Sequence, residues 1–261
     1  MKRIFFYTIT AFVLLTMTSC EEEPLSQMTL TVTKKQVEIN LIGNNRISSR
    51  ASIDWGDETS DNFKISRYSF SNYTHIYLDT VPHTITITGN NITSLFCNNN
   101  QLIDLDVSKN TQLNVLCIRN NPITSLDVSK NTALEELFCG NDQLTNLDVS
   151  KNTALQLLFC DNNQLMGLDV SKNKALRYLD CSYNQLDILD VSENTALDGV
   201  DCTFNNFSAT ALNTFFKTLR KVIIKNKKIY IYGNHGTNKC NITIAERKGW
   251  RVITDKSQME E

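Results

Sequence analysis

Leucines and other apolar residues recur at fixed positions of a 21-residue unit between Ile92 and about Asn206. The unit reads L-x-x-L-x-C-x-x-N-x-L-x-x-L-D-V-S-K-N-T-x. Copies begin at Ile92, Leu113, Leu134, Leu155 and Leu176, and a half-copy begins at Leu197. A period of this length is typical of stacked repeats, in which each thin coil buries its apolar residues against its neighbours. The pattern therefore predicts a solenoid of about five and a half coils.

The unit divides into halves of 10 and 11 residues, and the second half repeats the apolar spacing of the first. This spacing predicts two short strands per coil on opposite sides, with the leucines, the cysteine and the valine directed inward. The run Asp-Val-Ser-x-Asn-Thr favours turns, so no helix is expected on the far side. The predicted fold class is mainly β, with a β-sandwich-like module before the solenoid and an α/β cap after it.

This repeat resembles leucine-rich repeats, and more narrowly the nested class of internalin-like and BspA-like proteins, in which L-x-x-L-x-L-x-x-N-x alternates with L-x-x-L-D-L-x-x-N-x-x. The resemblance extends over residues 91–206. It implies a leucine-rich repeat solenoid that binds protein, with adhesion or host contact as the usual role.

Two asparagines per unit are as constant as the leucines. The first series is Asn100, Asn121, Asn163, Asn184 and Asn205, interrupted by Asp142, and the second is Asn110, Asn131, Asn152, Asn173 and Asn194. An amide both donates and accepts hydrogen bonds, so it can satisfy backbone groups that a turn leaves unpaired. Both series are predicted to be structural ladders.

Five cysteines share one inward position of the unit: Cys97, Cys139, Cys160, Cys181 and Cys202. In the second copy Ile118 takes that position, and Cys117 is expected to face outward. Stacked coils would place successive cysteines about 5 Å apart, which a disulfide permits. Parallel side chains rarely offer the disulfide torsion, so reduced, buried thiols are favoured over disulfides. Because no C-x-x-C pair is present, zinc is not expected.

Alternating apolar residues over about 28–90 predict a small all-β module, with strands near 51–55, 62–65, 73–77 and 84–88. The segment Asp54–Thr59, DWGDET, resembles the Trp-x-Phe-Gly-Asp-Gly corner of PKD-like sandwiches, with Glu58 in place of the second glycine. Asp57 suits a turn closed by Asx-type hydrogen bonds. A Ca²⁺ site is the less favoured alternative, because one or two carboxylates fall short of six to eight ligands. His75 and His83 are expected to be structural.

Residues 207–261 are predicted to cap the last coil, since the repeat pattern stops after Asn205. Ser208 is a candidate N-cap for a helix from Ala209 to about Leu219. Strands are expected at 222–224, 228–232 and 250–253, and a short helix at 241–248. The cap resembles the closing segment of Bacteroidetes leucine-rich repeat lipoproteins, and its His235 and Cys240 are expected to be structural.

The first 19 residues have the pattern of a secretory signal peptide, with Lys2 and Arg3 before an apolar run that ends at Met17. The small residues before Cys20 resemble a bacterial lipoprotein cleavage box, and the acids at 21–23 resemble a surface-export signal of Bacteroidetes lipoproteins. The resemblance implies lipidation of Cys20, a tether over residues 20–27, and an outer-membrane or cell-surface lipoprotein of a Gram-negative bacterium. The alternative is a chance cysteine after an ordinary signal.

Charge is segregated along a chain whose formal net charge is −2. Residues 91–206 carry 15 acidic and 7 basic side chains, a net of −8, whereas residues 207–261 carry 4 acidic and 11 basic, a net of +7. No global field points to nucleic acid, and membrane contact is expected through the lipid anchor only. One acidic row is expected to be a solvated face offset by lysines three residues on: Asp106, Asp127, Asp148, Asp169 and Asp190.

The outward residues of the predicted strands vary from coil to coil. One column reads Phe96, Cys117, Phe138, Phe159, Asp180 and Asp201, and the next reads Ser94, Val115, Glu136, Leu157, Tyr178 and Gly199. Because contiguous exposed apolar residues usually mark an interaction site, a ligand-binding face is predicted. Its residues are Phe96, Phe138, Leu157, Phe159, Tyr178, Asp180 and Asp201. The structural alternative is that the rings cover the sheet or pack under the N-terminal module.

The favoured function is a surface-anchored, non-catalytic module that binds a protein, because aromatic rings beside acids suit a basic, apolar partner. The alternative is a glycan-binding accessory lipoprotein of a saccharide-capture system, since Phe and Tyr can stack on sugar rings. Trp55 and Trp250, the two tryptophans, lie outside the repeats. No nucleophile–base pair, phosphate loop or metal triad appears at usable spacing, so no catalytic residue, cofactor or metal is predicted.

Overall fold

The computed structural model describes residues 26–43, 49–65, 71–222 and 227–260. It begins with six strands: β1 (Ser26–Val32), β2 (Gln36–Gly43), β3 (Ser49–Asp54), β4 (Ser60–Ile65), β5 (Ser71–Ile76) and β6 (His83–Gly89). Apolar residues alternate along β1 and β2, so each strand buries one face. The predicted signal peptide, Cys20 and residues 223 and 224 of a predicted strand lie outside the described residues. Residues 26 and 27 of the predicted tether belong to β1.

A parallel stack of short strands follows, one from each coil. It consists of β7 (Ile92–Phe96), β9 (Val115–Cys117), β10 (Glu136–Phe138), β11 (Leu157–Phe159), β12 (Tyr178–Asp180) and β13 (Gly199–Asp201). Equivalent residues pair in register along the stack, and the central leucine of each strand is buried, as at Leu137 and Leu158. The structure thus confirms the predicted leucine-rich repeat solenoid.

The prediction of a second strand in every coil is wrong. Only the first coil has one, β8 (Leu102–Asp106), which pairs antiparallel with β1. From residue 107 to 206, all described, the second half of each coil contains no strand. There, isolated backbone hydrogen bonds join neighbouring coils; for example, Gln164 N donates to Leu144 O at 2.9 Å. The chain cannot stay extended at the Asp-Val-Ser turn, because each Asp folds back onto the backbone of the Ser two residues on.

Both asparagine series are buried ladders that bind the backbone of neighbouring coils. In the first, Asn163 Oδ1 accepts from Leu144 N at 2.9 Å, and its Nδ2 donates to Cys139 O at 2.7 Å. In the second, Asn152 Nδ2 donates to the carbonyl oxygens of Val128 and Asn131 at 2.9 Å each. These bonds replace the β-ladder that the turns lack, which confirms the structural role.

The repeat pattern continues past Asn205, contrary to the prediction. Strand β14 (Lys227–Tyr230) pairs parallel with β13, and β15 (Trp250–Ile253) pairs with β14. Buried Ile229 and Ile231 occupy the leucine and cysteine positions of the unit. Asn234 supplies one more rung of the first ladder, since its Oδ1 accepts from Asn205 N at 3.1 Å and its Nδ2 donates to Cys202 O at 3.0 Å. The cap therefore binds the last coil as another coil would.

The two ends of the solenoid are covered in different ways. At the start, β4, β3, β6 and β1 form one sheet that continues through β8, and β5 and β2 form the edge of a second sheet that continues through β7, so both sheets extend into the first coil. At the end, helix α1 (Ala209–Thr218) begins at Ser208, whose Oγ accepts from Ala211 N at 3.1 Å. The helix, predicted from Ala209 to about Leu219, buries Leu212 and the phenylalanines at 215 and 216.

Helix α2 (Thr243–Glu246) is shorter than the predicted 241–248. At Lys248 and Gly249 the backbone N–H donates to the carbonyl oxygen three residues earlier, as in a 3₁₀ turn. Gly249 has a φ of 92°, and this left-handed conformation ends the helix. Short 3₁₀ turns at Thr237–Lys239 and Lys256–Glu260 complete the cap. No helix in the described ranges is long and apolar enough to cross a membrane.

The cysteine row is buried and reduced. Cys97, Cys139, Cys160, Cys181 and Cys202 are free and fully buried. Burial raises the pKa of these thiols above its ordinary value. Cys117 lies in the outward register of the sheet, as predicted, but only 8% of it is exposed, and its Sγ donates to Asn98 Oδ1 at 3.1 Å. The row thus serves as small apolar side chains of the core.

We expect every cysteine of the described residues to titrate as a free thiol in denaturant without reductant, while the native protein reacts slowly except at half-exposed Cys240. A thiol-reactive chromophore, added with and without guanidinium, measures both states. Two or more missing thiols in the denatured protein would show that disulfides join the row.

Candidate interaction face

The predicted binding residues lie together on one face of the parallel sheet. We call this surface, the outward side of β7 and β9–β13, the strand face. The rings of Phe138, Phe159 and Tyr178 stack in succession, with centroids 5.0 and 5.3 Å apart and planes within 26° of parallel. Leu157 pairs with Tyr178 in the neighbouring column. Phe96 lies two strands from Phe138 in the same column, with Cys117 between them.

Tyr178 owes its position to the glycine on the next strand. A Cβ at Gly199 would stand 2.7 Å from the Tyr178 ring, so only glycine leaves room for the ring to lie across β13. The strand-face rings are half-buried. Because Phe159 is stacked between Phe138 and Tyr178, the three rings form a continuous apolar strip that is partly exposed to solvent.

Two half-buried carboxylates follow the aromatic strip. Asp180 Oδ1 accepts from Ser182 N at 3.0 Å and from its Oγ at 2.7 Å, and Asp201 Oδ1 accepts from Thr203 N at 2.9 Å. Burial, assisted by nearby carboxylates, raises the pKa of Asp180 to about 6 and raises the pKa of Asp201 as well. No described Lys or Arg forms an ion pair with either acid. This end of the strand face is therefore negative near neutral pH, and Lys228 and Arg251 occupy the outward register of the next two strands, β14 and β15.

An ion pair crosses the strand face beyond the strand ends. Arg119 Nη2 lies 2.8 Å from Asp161 Oδ2, although the two residues belong to coils separated by the coil of Gly140. A Cβ at Gly140 would stand 2.3 Å from Asp161 Oδ1, so glycine is what lets the Asp161 carboxylate lie there. Sequence reasoning missed this pair. The available signal was a glycine between Arg and Asp at one repeat position.

A second aromatic cluster, which sequence reasoning also missed, lies on the turns after β12, β13 and β14. Tyr183 and Phe204 stack at 4.3 Å, and Phe204 meets Tyr232 edge-on at 5.5 Å. We call these three residues the aromatic rim. Tyr183 is 51% exposed and Phe204 39%. Their φ angles are 53° and 50°, a left-handed conformation that costs a bulky residue on the order of 1 kcal/mol.

The row of aspartates on the far side closes turns. Asp148 Oδ1 accepts from Ser150 N at 2.8 Å, and the same bond recurs in the other coils. Hydrogen bonds from serine hold the pKa of Asp148 and of its neighbour Asp127 below its usual range. The lysines three residues on also lower these pKa values, as the sequence predicted, but the hydrogen bonds from serine have the larger effect, so this row is built into the coil.

The N-terminal histidines each bind a carboxylate, which the sequence pattern did not indicate. Asp57 Oδ1 accepts from Thr59 N at 3.2 Å, which confirms the Asx-type turn, and its Oδ2 contacts His75 Nε2 at 2.7 Å. His83 Nε2 contacts Asp79 Oδ1 at 2.7 Å. Both oxygens of Asp57 thus have protein partners, which supports a structural role for this corner.

Other candidate sites are sparse. A cavity of about 560 Å³ opens between β3, β4 and β6, lined by Arg50, Phe63, Lys64 and Gly89 among others. Within the described ranges, no three His, Cys, Asp or Glu side chains are grouped so that they could hold a metal ion. The strand face and the aromatic rim are therefore the candidate binding surfaces of the described residues.

Comparisons with known proteins returned structural likenesses only. No protein-family model matches the sequence, and no curated protein matches it. One similar solved structure is the functional domain of InlJ from Listeria monocytogenes, which is described as including a cysteine ladder. The two sequences are 25% identical, and the match covers 62% of this chain and 53% of the InlJ chain with a TM-score of 0.42. A leucine-rich repeat protein of Leptospira interrogans is 19% identical, with coverages of 61% and 41% and a TM-score of 0.47. Internalin C2 of Listeria monocytogenes is 18% identical, with coverages of 63% and 81% and a TM-score of 0.47. The chain spans about half the length of the first two, so their whole-protein activities do not carry over to it.

Proposed function

We propose that this chain is a non-catalytic interaction module that binds a protein through the strand face. The observation that carries the proposal is the partly exposed stack of Phe138, Phe159 and Tyr178, which lies beside two carboxylates that form no ion pair with a described Lys or Arg. Rigid rings on a rigid sheet offer a large apolar contact at a small entropic cost. The adjoining acids favour a partner with a basic, apolar surface.

The proposal includes export and anchoring. The leader and Cys20 support a lipoprotein at the outer membrane or cell surface of a Bacteroidetes-like bacterium. In this arrangement residues 28–90 form a PKD-like spacer, residues 91–206 the binding solenoid and residues 207–261 its cap. Adhesion to a host or neighbouring cell is the role we propose for the exported module. Mass spectrometry of the mature N terminus tests the anchor, and an unmodified Cys20 would contradict it.

Replacing Phe138 and Phe159 with serine is expected to abolish capture of a protein ligand while the coil stays folded. Each ring can contact a ligand only through its exposed part, and the leucines and asparagines that hold the coils are untouched. Surface plasmon resonance against immobilised extracellular-matrix proteins measures capture, and circular dichroism verifies the fold.

The matched control is Met166→Ser with Ile188→Ser. These side chains are 68% and 61% exposed and lie on the second half of their coils. Their replacement therefore removes exposed apolar surface outside the strand face. Equal loss of capture in both double variants would contradict a role for the strand face. A glycan array run in parallel tests the saccharide alternative, and glycan binding that depends on Phe138 and Phe159, without protein capture, would replace the proposal.

A further inference from the structure

Two residues of the aromatic rim replace an asparagine that the preceding coils have at the same position. The turn position that Tyr183 and Phe204 occupy holds asparagine in the preceding coils: Asn99, Asn120, Asn141 and Asn162. All of these positions have φ between 50° and 60°. Asparagine tolerates that conformation, whereas tyrosine and phenylalanine rarely adopt it. The fold alone would be better served by asparagine at Tyr183 and Phe204, so the two rings point to a role in binding.

The rim is also preformed. Phe204 lies against Gly233, where a Cβ would stand 2.5 Å from the ring, and the φ of Gly233 is 80°. Tyr183 stacks on Phe204, and Tyr232 braces Phe204 from the side. A cavity of about 450 Å³ opens beside Phe204 and Tyr232 and is also lined by His235, Asp255 and Lys256 among others. The rings therefore border a space that can take an extended side chain without rearrangement.

The carboxylates of the strand face are within electrostatic reach of the rim. Asp180 and Asp201 are among the groups whose charge raises the pKa of Tyr232. Each carboxylate is hydrogen-bonded to the residue two positions on, which lies just before Tyr183 or Phe204 in the chain. The electron-rich ring faces and the two acids thus create one negative, aromatic-lined surface, which is the environment that attracts a cation.

We propose that the aromatic rim, together with Asp180 and Asp201, binds a lysine or arginine side chain on an extended segment of the protein partner. This inference rests on the proposed function, because it names the chemistry of the partner that the strand face meets. The cation would lie over an exposed ring while the carboxylates balance its charge. A neutral sugar would use the rings but form no ion pair with the two acids, so the acid pair favours the cationic partner.

The test is selection of random dodecapeptides, displayed on phage, against the wild-type protein. The selected peptides are expected to carry a lysine or arginine beside an apolar residue. Their affinity should fall at least about fivefold for Tyr183→Asn with Phe204→Asn, and similarly for Asp180→Asn with Asp201→Asn. The first pair restores the residue used by the other coils, so its melting temperature should equal or exceed that of the wild type.

The control is again Met166→Ser with Ile188→Ser, which should leave peptide affinity unchanged. Failure to enrich peptides, enrichment of peptides without a cation, or affinity unaffected by both rim and acid variants would overturn the inference. So would rim-dependent binding of xylan, mannan or laminarin. Peptides that depend on Phe138 and Phe159 but not on the rim would overturn only this inference and leave the proposed function in place. Peptides that depend on the rim but not on those phenylalanines would contradict the proposed function instead.

Discussion

Replacing Asp142 with asparagine is expected to stabilise the protein against unfolding by several kcal/mol at pH 8. Asp142 occupies the rung of the first ladder at which other coils place asparagine, and it is only 7% exposed. Its Oδ1 accepts from Asn121 N at 2.7 Å, as an amide oxygen would. Its Oδ2 is buried without a hydrogen-bond partner among the described residues. In the next coil the equivalent atom, Asn163 Nδ2, donates to two buried carbonyl oxygens, which a carboxylate cannot do.

The stabilisation should depend on pH with a definite sign. Burial raises the pKa of Asp142 to about 7, whereas an aspartate in an unfolded chain has a pKa of about 3.9. The folded state therefore binds the proton more tightly, and the benefit of that proton is fully present below about pH 4. This benefit is lost progressively as the pH rises to about 7. The folded and unfolded pKa values differ by roughly three units, which corresponds to a loss on the order of 4 kcal/mol in the free energy of unfolding. The variant has no proton to lose at this position.

Urea unfolding at pH 5 and pH 8 measures the effect. The free energy of unfolding of Asp142→Asn minus that of the wild type should be about 2–3 kcal/mol larger at pH 8 than at pH 5, because part of the proton's benefit is already lost at pH 5. Asp187→Asn makes the same chemical change at an exposed position and should shift stability by only a few tenths of a kcal/mol at either pH. A difference between Asp142→Asn and the wild type that does not change with pH would contradict a buried, proton-binding carboxylate.

The ladder also shows where the sequence was sufficient and where it was not. The stack of strands could be predicted from the 21-residue period, because the same inward leucine positions recur in every coil. Asn234 was missed as a rung because the cap keeps only three inward positions of the unit, Ile229, Ile231 and Asn234 itself. The second strand was overpredicted because apolar spacing does not reveal the Asx turns that end the extended backbone.

Candidate-site residues divide in the same way. The stack of Phe138, Phe159 and Tyr178 was predictable, because side chains alternate along a strand and equivalent positions align along the stack. The ion pair of Arg119 and Asp161 spans an intervening coil and forms only because Gly140 in that coil has no Cβ. The alternation of side chains along a strand does not predict such a contact. The aromatic rim depends on backbone in the left-handed region, where side-chain direction follows from φ rather than from strand alternation.

Replacing Asn184 with aspartate is expected to have the opposite effect to Asp142→Asn and to destabilise the protein by about 3–5 kcal/mol near pH 8. Asn184 Oδ1 accepts from Leu165 N at 2.9 Å, a bond that aspartate can keep. Its Nδ2 donates to the carbonyl oxygens of Cys160, Cys181 and Ser182 at 2.9–3.2 Å, and aspartate loses all three bonds. A carboxylate would then face three carbonyl oxygens in the core, so the loss should shrink at low pH, where the acid carries a proton to donate.

Asn120→Asp is the matched control, because it adds the same charge at an exposed turn position whose left-handed backbone aspartate tolerates. Its effect on the free energy of unfolding should stay within about 0.5 kcal/mol. The double variant Asp142→Asn with Asn184→Asp moves the carboxylate along the ladder by two coils, roughly 10 Å. At that separation the two effects should add, and the double variant should recover a stability and a pH dependence close to those of the wild type. If Asn184→Asp were as stable as the wild type at pH 8, the amide donors would not be what holds the coils together, and the expected gain from Asp142→Asn would lose its basis as well.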